Sequence, residues 1–482
     1  MTSVEQSRGL GPGPQLITYP DSLGGNLEHV VELLDGPLSG HFSGIHLLPP
    51  FPSSGDRGFS PITYDEIDPR FGSWEDVEQI ASGHDLVLDL MVNHISRHSP
   101  EFQDFLRRGR RSPSADLFIT LDKVWRDGEP EPSDVARIAL RKPGSPFSTV
   151  AIEETGEEET IWTTFGSADW AEQIDLDLTS DAARAKVTGW LETLASHGTR
   201  MVRLDAVGYI VKQPGTDCFM VEPDIYEILG WFESVAGDLG LVLLPEVHDH
   251  YSTHKRLSAH GYWTYDFVLP GLVLHAFETG NVGRLAEHLA QSSSRQVTNL
   301  DCHDGIPVRP DLDDILSPEE MRGLTDSVVR RGGNVSRLLS GVANGGVDTH
   351  QLNCTYYSAL DEDDERYLAA RAIQLFAKGI PQIYYVGLLA GTNDHEAVEE
   401  TGEGRAVNRH NYSTPEIDSA LERQVVRDLM DLTKLRNSHL AFGGNLEVRR
   451  EGKSRFQLVW TSGGSRCALD VDVSTGAYDI ET

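Results

Sequence analysis

The chain has 482 residues, with 41 Lys and Arg against 75 Asp and Glu, a formal charge of −34 with histidine neutral. An apolar fraction of 39% and a charged fraction of 24% describe a globular protein and exclude disorder. So negative a chain excludes a general binder of nucleic acid or anionic membranes, since both are polyanions. No run of 18 apolar residues offers a membrane span. The first residues, MTSVEQSRGLGPGPQ, carry neither a basic nor an apolar block, so no secretory signal is expected and a cytoplasmic location is. Four scattered cysteines (Cys218, Cys302, Cys354 and Cys467) without CxxC spacing predict reduced structural thiols rather than a zinc site.

Short β-rich runs followed by amphipathic helices recur along the chain. Gly44–Leu48 reads as a strand. Ser73 can cap a helix carrying Trp74, Val77, Ile80 and Ala81, and Gly83 closes it. Leu86–Val92 is the next strand. Residues 182–197 read as a helix with Ala183, Val187, Trp190, Leu191 and Leu194 on one face, ended by Gly198 before the strand Met201–Leu204. A helix over 223–238 leads into Leu241–Leu244, and one over 364–378 precedes Pro381–Val386. Strands apolar on both faces, alternating with helices, predict a parallel sheet covered by helices, with enough units for an eight-stranded barrel.

Two long regions break this rhythm. Residues 99–176 are charged and poor in helical pattern, and residues 306–361 carry DLDD, RRGGN and NGG without clean periodicity. Both follow strands, where carboxyl-end loops build a barrel's site. Residues 441–482 read as a few strands, FQLVWTS and RCALDVDV among them. The expected division is therefore barrel 1–98, insertion 99–176, barrel 177–305, insertion 306–361, barrel 362–440 and a β-domain 441–482.

Three acids close apolar strands: Asp205 in MVRLDAVGY, Glu246 in LVLLPEVH and Asp304 in TNLDCHDG. Taken singly, each reads as readily as a helix cap or a loop ion pair. Asp205 and Glu246 stand one strand–helix repeat apart, which predicts adjacent strands and the same end of the barrel. A carboxylate ending a buried strand costs free energy unless solvated or used. A close carboxylate pair suits retaining glycosyl transfer, one acid attacking and the other protonating. His94, His248 and His303 also fall at strand ends, but no HExxH spacing favours a metal, and none is expected. Arg203 shares the strand face of Asp205 and should hold it ionised.

DLMVNH, VRLDAVGY, LPEVH and LDCHDG resemble the four ordered motifs of glycoside hydrolase family 13, the α-amylase family. QLITYPDSLGG, GFSPITYDEIDPRFGSWEDV, GIPQIYYVGLLAG and GRAVNRHNYST are similar to its sucrose phosphorylase branch, and the resemblance runs from about Gln15 to Phe442. It implies a (β/α)8 TIM barrel with inserted domains after strands 3 and 7 and a C-terminal β-domain. By matching motif, Asp205 resembles the nucleophile, Glu246 the general acid/base and Asp304 the transition-state stabiliser. Asp56, His94, Arg203, His303 and Arg405 are implied to hold glucose, with Phe59 and Phe165 as an apolar wall. Gln173, Tyr209, His248, Asp348 and Gln351 are implied to line the pocket. No cofactor is implied. The partners are a small sugar and inorganic phosphate, with a monomer or homodimer as the assembly.

Two positions depart from the branch. Its loop reading approximately DLYQ is here Asp348-Thr349-His350-Gln351, and its Arg-Pro-Arg-Pro-Gly segment is here Leu140-Arg141-Lys142-Pro143-Gly144. Both changes add hydrogen-bond donors, and Arg141 adds full charge. Arg141, Lys142 and His350 are thus the expected phosphate contacts, and the pair Arg141 and His350 resembles branch members whose leaving group is fructose 6-phosphate. A lysine expected as a third contact is missing, since Glu400, Thr401, Gly402 and Glu403 precede GRAVN. Plain sucrose and glucosylglycerate remain rival substrates. A non-catalytic sugar-binding barrel is the reading from another class.

Overall fold

Eight short parallel strands form the centre of the molecule in the computed structural model, which describes residues 9–142, 144–166, 172–338 and 348–482. They are β1 (Gln15–Thr18), β2 (Gly44–Leu47), β3 (Asp85–Met91), β4 (Thr199–Asp205), β5 (Val242–Pro245), β6 (Thr264–Asp266), β7 (Gln296–Thr298) and β8 (Ile380–Tyr384). Hydrogen bonds join them in the order β6-β7-β8-β1-β2-β3-β4-β5, which is chain order wrapped into a nearly closed barrel. Nearly every strand residue is buried, because side chains of one face fill the barrel and those of the other meet the helices.

The helices follow from their ends. Ser73 and Asp76 form a capping box that opens Trp74–Gly83. Ser180 caps Asp181–Ser196, whose buried face is the predicted one. Gly240, at φ 71°, terminates Asp224–Leu239 in the left-handed conformation that lacks a Cβ penalty. Strand β8 ends at Tyr384, two residues before the expected limit, and the chain turns into the short helix Tyr385–Leu388.

Insertions follow β3 and β7. The first contains the helix Pro100–Arg108, the short antiparallel pair His94–Ser96 with Gln173–Asp175, and the hairpin Phe147–Ala151 with Glu158–Trp162. The second is a three-stranded antiparallel sheet of Ile306–Pro307, Asn334–Leu338 and Asp348–Asn353 around the helix Pro318–Arg330. These two helices are what the missing periodicity concealed. Each opens with Ser-Pro-Glu, and the second is fixed by a Ser317–Glu320 capping box and by Met321, Leu324 and Val328 on its buried side. The C-terminal strands Asn445–Glu451, Arg455–Ser462, Ser465–Asp472 and Ala477–Glu481 form one antiparallel meander. It docks through Trp460, whose indole N–H donates to the Phe376 carbonyl at 2.8 Å. Among the described residues, no helix is long and apolar enough to cross a membrane.

Candidate active site

The carboxyl ends of the barrel strands bring the three acids together. Asp205 is the last residue of β4, Glu246 follows β5 directly, and Asp304 lies a short loop beyond β7. Each keeps only 13–16% of its side chain exposed. Immediately after Asp205 the chain breaks at Ala206, whose φ of 55° is unusual for a residue with a Cβ. That turn aims the Ala206 N–H at Glu246 Oε2, 3.1 Å away. Strand register then places Arg203 beside Asp89 of β3. Arg203 Nη1 donates to Asp89 Oδ1 at 2.5 Å and to Asp205 Oδ1 at 2.7 Å, with Nη2 3.7 Å from Glu246 Oε1. Asp89 is held from behind by His46 Nε2 at 2.8 Å.

Around this network lies a cavity of about 650 Å³. Asp304 faces Arg405 at 3.2 Å, His303 at 3.4 Å and Arg409 at 3.8 Å. The His303 ring stacks on Phe59 with centroids 5.0 Å apart. His94 Nε2 and the Gln173 side-chain amide both reach the Phe59 carbonyl, at 3.0 and 3.1 Å, so one loop backbone orients both. Phe165 packs against His94 and edge-on to Tyr209. Asp56, in a turn with φ 46°, completes this wall, and Gly55, Gly166, Glu172 and Phe219 line it unanticipated.

Charge in the site is set by burial and by the fixed guanidinium. Burial, with the facing Glu246 carboxylate, pushes Asp205 up to about 8 against the pull of Arg203. Burial acts on Glu246 in the same sense, but the hydrogen bond from His248 and the charge of Arg203 hold it down, to about 2. The two carboxyls repel each other, so they titrate as a pair. His248 resists its own desolvation through Asp311 and Glu246 and is pushed up to about 10. His303, desolvated and beside Arg203 and Arg409, falls to about 3 and is a neutral donor.

The predicted phosphate contacts separate. Arg141 lines the cavity, its guanidinium 5.7 and 5.8 Å from the ring centres of Phe165 and Tyr209. Lys142 turns away: it is buried, and Nζ donates to Thr163 Oγ1 at 2.6 Å beneath the hairpin. His350 lies behind His248, with ring centres 5.3 Å apart, and its Nδ1 is 2.6 Å from the Arg309 carbonyl. Desolvation and Arg141 lower it to about 3, so it contributes no charge. Gln351 reaches the cavity, its Nε2 3.4 Å from His248 Nε2. The Asp348 side chain lies outside the described residues. Glu403, noted in the sequence only as the place where a lysine is missing, stands on the cavity wall next to Arg405. Asp89 and Arg409 were missed. The signal for Asp89 was a lone acid inside the apolar run LVLDLM, which requires a buried partner.

A barrel of this order with three acids at its carboxyl end defines the class. Residues 17–267 match the family described as Alpha amylase, catalytic domain, and the chain belongs to the α-amylase family. Within it, the chain is 50% identical over 469 residues to the sucrose 6(F)-phosphate phosphorylase of Thermoanaerobacterium thermosaccharolyticum, covering 97% of this chain and 96% of that one. It is 43% identical over 435 residues to the sucrose phosphorylase of Streptococcus mutans, covering 90% and 89%. The crystal structure of sucrose 6F-phosphate phosphorylase from Thermoanaerobacter thermosaccharolyticum superposes with a TM-score of 0.96 at 49% identity, covering 99% of this chain and 97% of that one.

Proposed function

We propose that the chain is a retaining glucosyl phosphorylase that converts sucrose 6-phosphate and phosphate into α-D-glucose 1-phosphate and D-fructose 6-phosphate. The single observation carrying the choice of substrate is Arg141, a guanidinium on the cavity wall with no carboxylate among its contacts given above. A planar cation resting on two aromatic faces is a receptor for a phosphoryl group. The Asp205 carboxylate attacks the anomeric carbon, the glycosidic C–O bond breaks, and Glu246 gives its proton to the leaving fructosyl oxygen. Inorganic phosphate then passes a proton to Glu246, attacks the same carbon and displaces Asp205. Two inversions retain the α configuration.

Attack requires Asp205 ionised and Glu246 protonated, the reverse of the order in the free site. Arg203 favours the productive form, because it donates directly to Asp205 and stands 1 Å farther from Glu246. Asp304, held by Arg405 and Arg409, faces the positive charge that develops on the sugar ring. Neutral His303 donates to a sugar hydroxyl without adding charge, whereas neutral His94 gives its one N–H to the Phe59 carbonyl and holds the wall in place.

Glu403 favours a second reading, in which the acceptor half takes an uncharged fructosyl group and the substrate is plain sucrose. Purified protein given sucrose 6-phosphate and sucrose, with and without inorganic phosphate, separates the cases. The first reading expects phosphate-dependent glucose 1-phosphate and a kcat/KM ratio above one for the phosphorylated sugar. A ratio below one selects the second reading, and sugar release independent of phosphate refutes both. Four unpaired, buried cysteines support a reducing compartment, the cytoplasm.

A further inference from the structure

Behind the acid/base, outside the cavity, lies a carboxylate with no part in the chemistry above. Asp311 is completely buried on the segment that follows Ile306–Pro307, and neither of its oxygens has a hydrogen-bond partner among the described residues. Its ion-pair contacts run to two imidazoles: Oδ2 is 3.5 Å from His248 Nδ1, and Oδ1 is 3.5 Å from His254 Nε2 on the helix Tyr251–Ala259. The opposite nitrogen of the first ring, His248 Nε2, is 3.2 Å from Glu246 Oε1. That ring is clamped flat on Phe267, with centroids 4.1 Å apart. A chain Asp311–His248–Glu246 therefore leads from a sealed carboxylate to the group that must hold and release a proton.

We propose that Asp311 is a positioning residue for the acid/base, acting through His248. Its charge keeps Nδ1 of His248 protonated, so that Nε2 is the nitrogen that shares a proton with Glu246. This rests on the assignment of Glu246 as the acid/base given above. The physical reason is the cost of burying Asp311 without compensation: a buried carboxylate needs a protonated partner, and His248 is the partner that also meets the site. The proton balance is closed. When Glu246 gives the shared proton to the leaving oxygen, that proton departs on the fructosyl hydroxyl and the pair of Glu246 and His248 Nε2 is one proton short. When phosphate attacks, its proton refills the same pair, and the enzyme's proton count is restored. The other groups facing His248 are Gln351 and neutral His350 from the strand Asp348–Asn353, with Arg141 acting on His350 from the first insertion. Arg203 faces Glu246 from β4. Burial opposes protonation of His248, and Asp311 with Glu246 supports it.

The test is Asp311→Asn, assayed on sucrose 6-phosphate and on α-glucosyl fluoride across pH. Fluoride leaves without a proton, so its release does not require the acid. Loss of the charge at 311 lowers the affinity of the His248–Glu246 pair for its proton. The basic limb of kcat/KM is then expected to move down by about 1 pH unit or more, and the loss should be at least about tenfold larger on the sugar phosphate than on the fluoride. Asp311→Glu, which keeps the charge, is expected to leave the basic limb in place. It also serves as the readout if Asn lowers the melting temperature below the assay. Equal losses on both substrates with an unmoved limb would overturn the proposal, as would a displaced limb in the Glu variant. Parent enzyme that cleaves the fluoride but not the sugar phosphate would refute the substrate reading alone, and the plain sucrose profile then decides on Asp311.

Discussion

On the proposed glucosyl side of the cavity Asp89, Asp205 and Asp304 each face an arginine, whereas on the proposed leaving-group side Arg141 rests on the rings of Phe165 and Tyr209. Asp205 meets Arg203, Arg203 meets Asp89, and Asp89 meets His46, all within 2.8 Å. Asp304 has two arginines and a histidine. Asp89, Arg203 and Asp205 belong to barrel strands, whereas Asp304, Arg405 and Arg409 come from the loops that follow β7 and β8. The leaving-group side draws Arg141 from one insertion, Gln351 from the other, and Glu403 from the loop before Gly404–Asn408. The strand-end half tolerates little change because each charge is another's counter-ion. The loop half can change substrate by exchanging one residue.

The comparison breaks most severely at Asp205, the proposed nucleophile. Asp205→Asn removes the attacking oxygen and leaves the fold's ion network with Asp89 and Arg203 still paired. Phosphorolysis should fall by about 10⁴-fold or more, read as glucose 1-phosphate formed per enzyme. A variant retaining a tenth of the activity would show that Asp205 is not the attacking group. The next largest effect belongs to Arg203→Lys. Nη1 alone reaches both Asp89 and Asp205 while Nη2 stands near Glu246, an arrangement that a flexible ammonium without the planar fork cannot hold in one orientation, so a roughly 10²-fold loss in kcat is expected, with a smaller change in KM. An unchanged kcat would mean that charge alone, not the fork, orients Asp205.

The same division explains what the sequence made legible. Asp205 and Glu246 each end an apolar run, Asp304 follows one by a short loop, and burial at or near a strand end is a local pattern that the chain displays without its fold. The C-terminal strands and the helices flanked by Ser73, Gly198 and Gly240 are local in the same way. Lys142 and His350 bond elsewhere than the cavity for the opposite reason. Whether a loop side chain faces a cavity depends on the hairpin beneath it: Thr163 and Ser148 capture Lys142, and the Arg309 carbonyl takes His350. Asp311 could not be read at all, since its partners His248 and His254 lie far from it in sequence.

Arg141→Ala tests the loop half directly. It removes a charge-assisted contact to a phosphoryl group, worth about 1.5–3 kcal/mol. The preference for sucrose 6-phosphate over sucrose should drop by about 10- to 100-fold, measured as a ratio of kcat/KM values. Equal losses on both substrates would make Arg141 a packing element of Phe165 and Tyr209 rather than a recognition group.

The smallest effect is expected at Glu403, and its sign is the informative part. Glu403→Gln removes a negative charge beside the site where the proposed phosphate would lie, while keeping shape and hydrogen-bonding capacity. Glu403 is exposed, so solvent screens it, and the gain in preference for sucrose 6-phosphate should not exceed about fivefold. The gain should shrink as salt rises, because exposed charges act through a screened field. Glu403→Lys should move the preference further in the same direction. If both variants instead lower activity on the phosphorylated sugar while sparing sucrose, Glu403 is a partner that orients Arg405 rather than a charge that repels substrate. The leaving-group half would then be coupled to Asp304 through Arg405, and the two halves would not be independent.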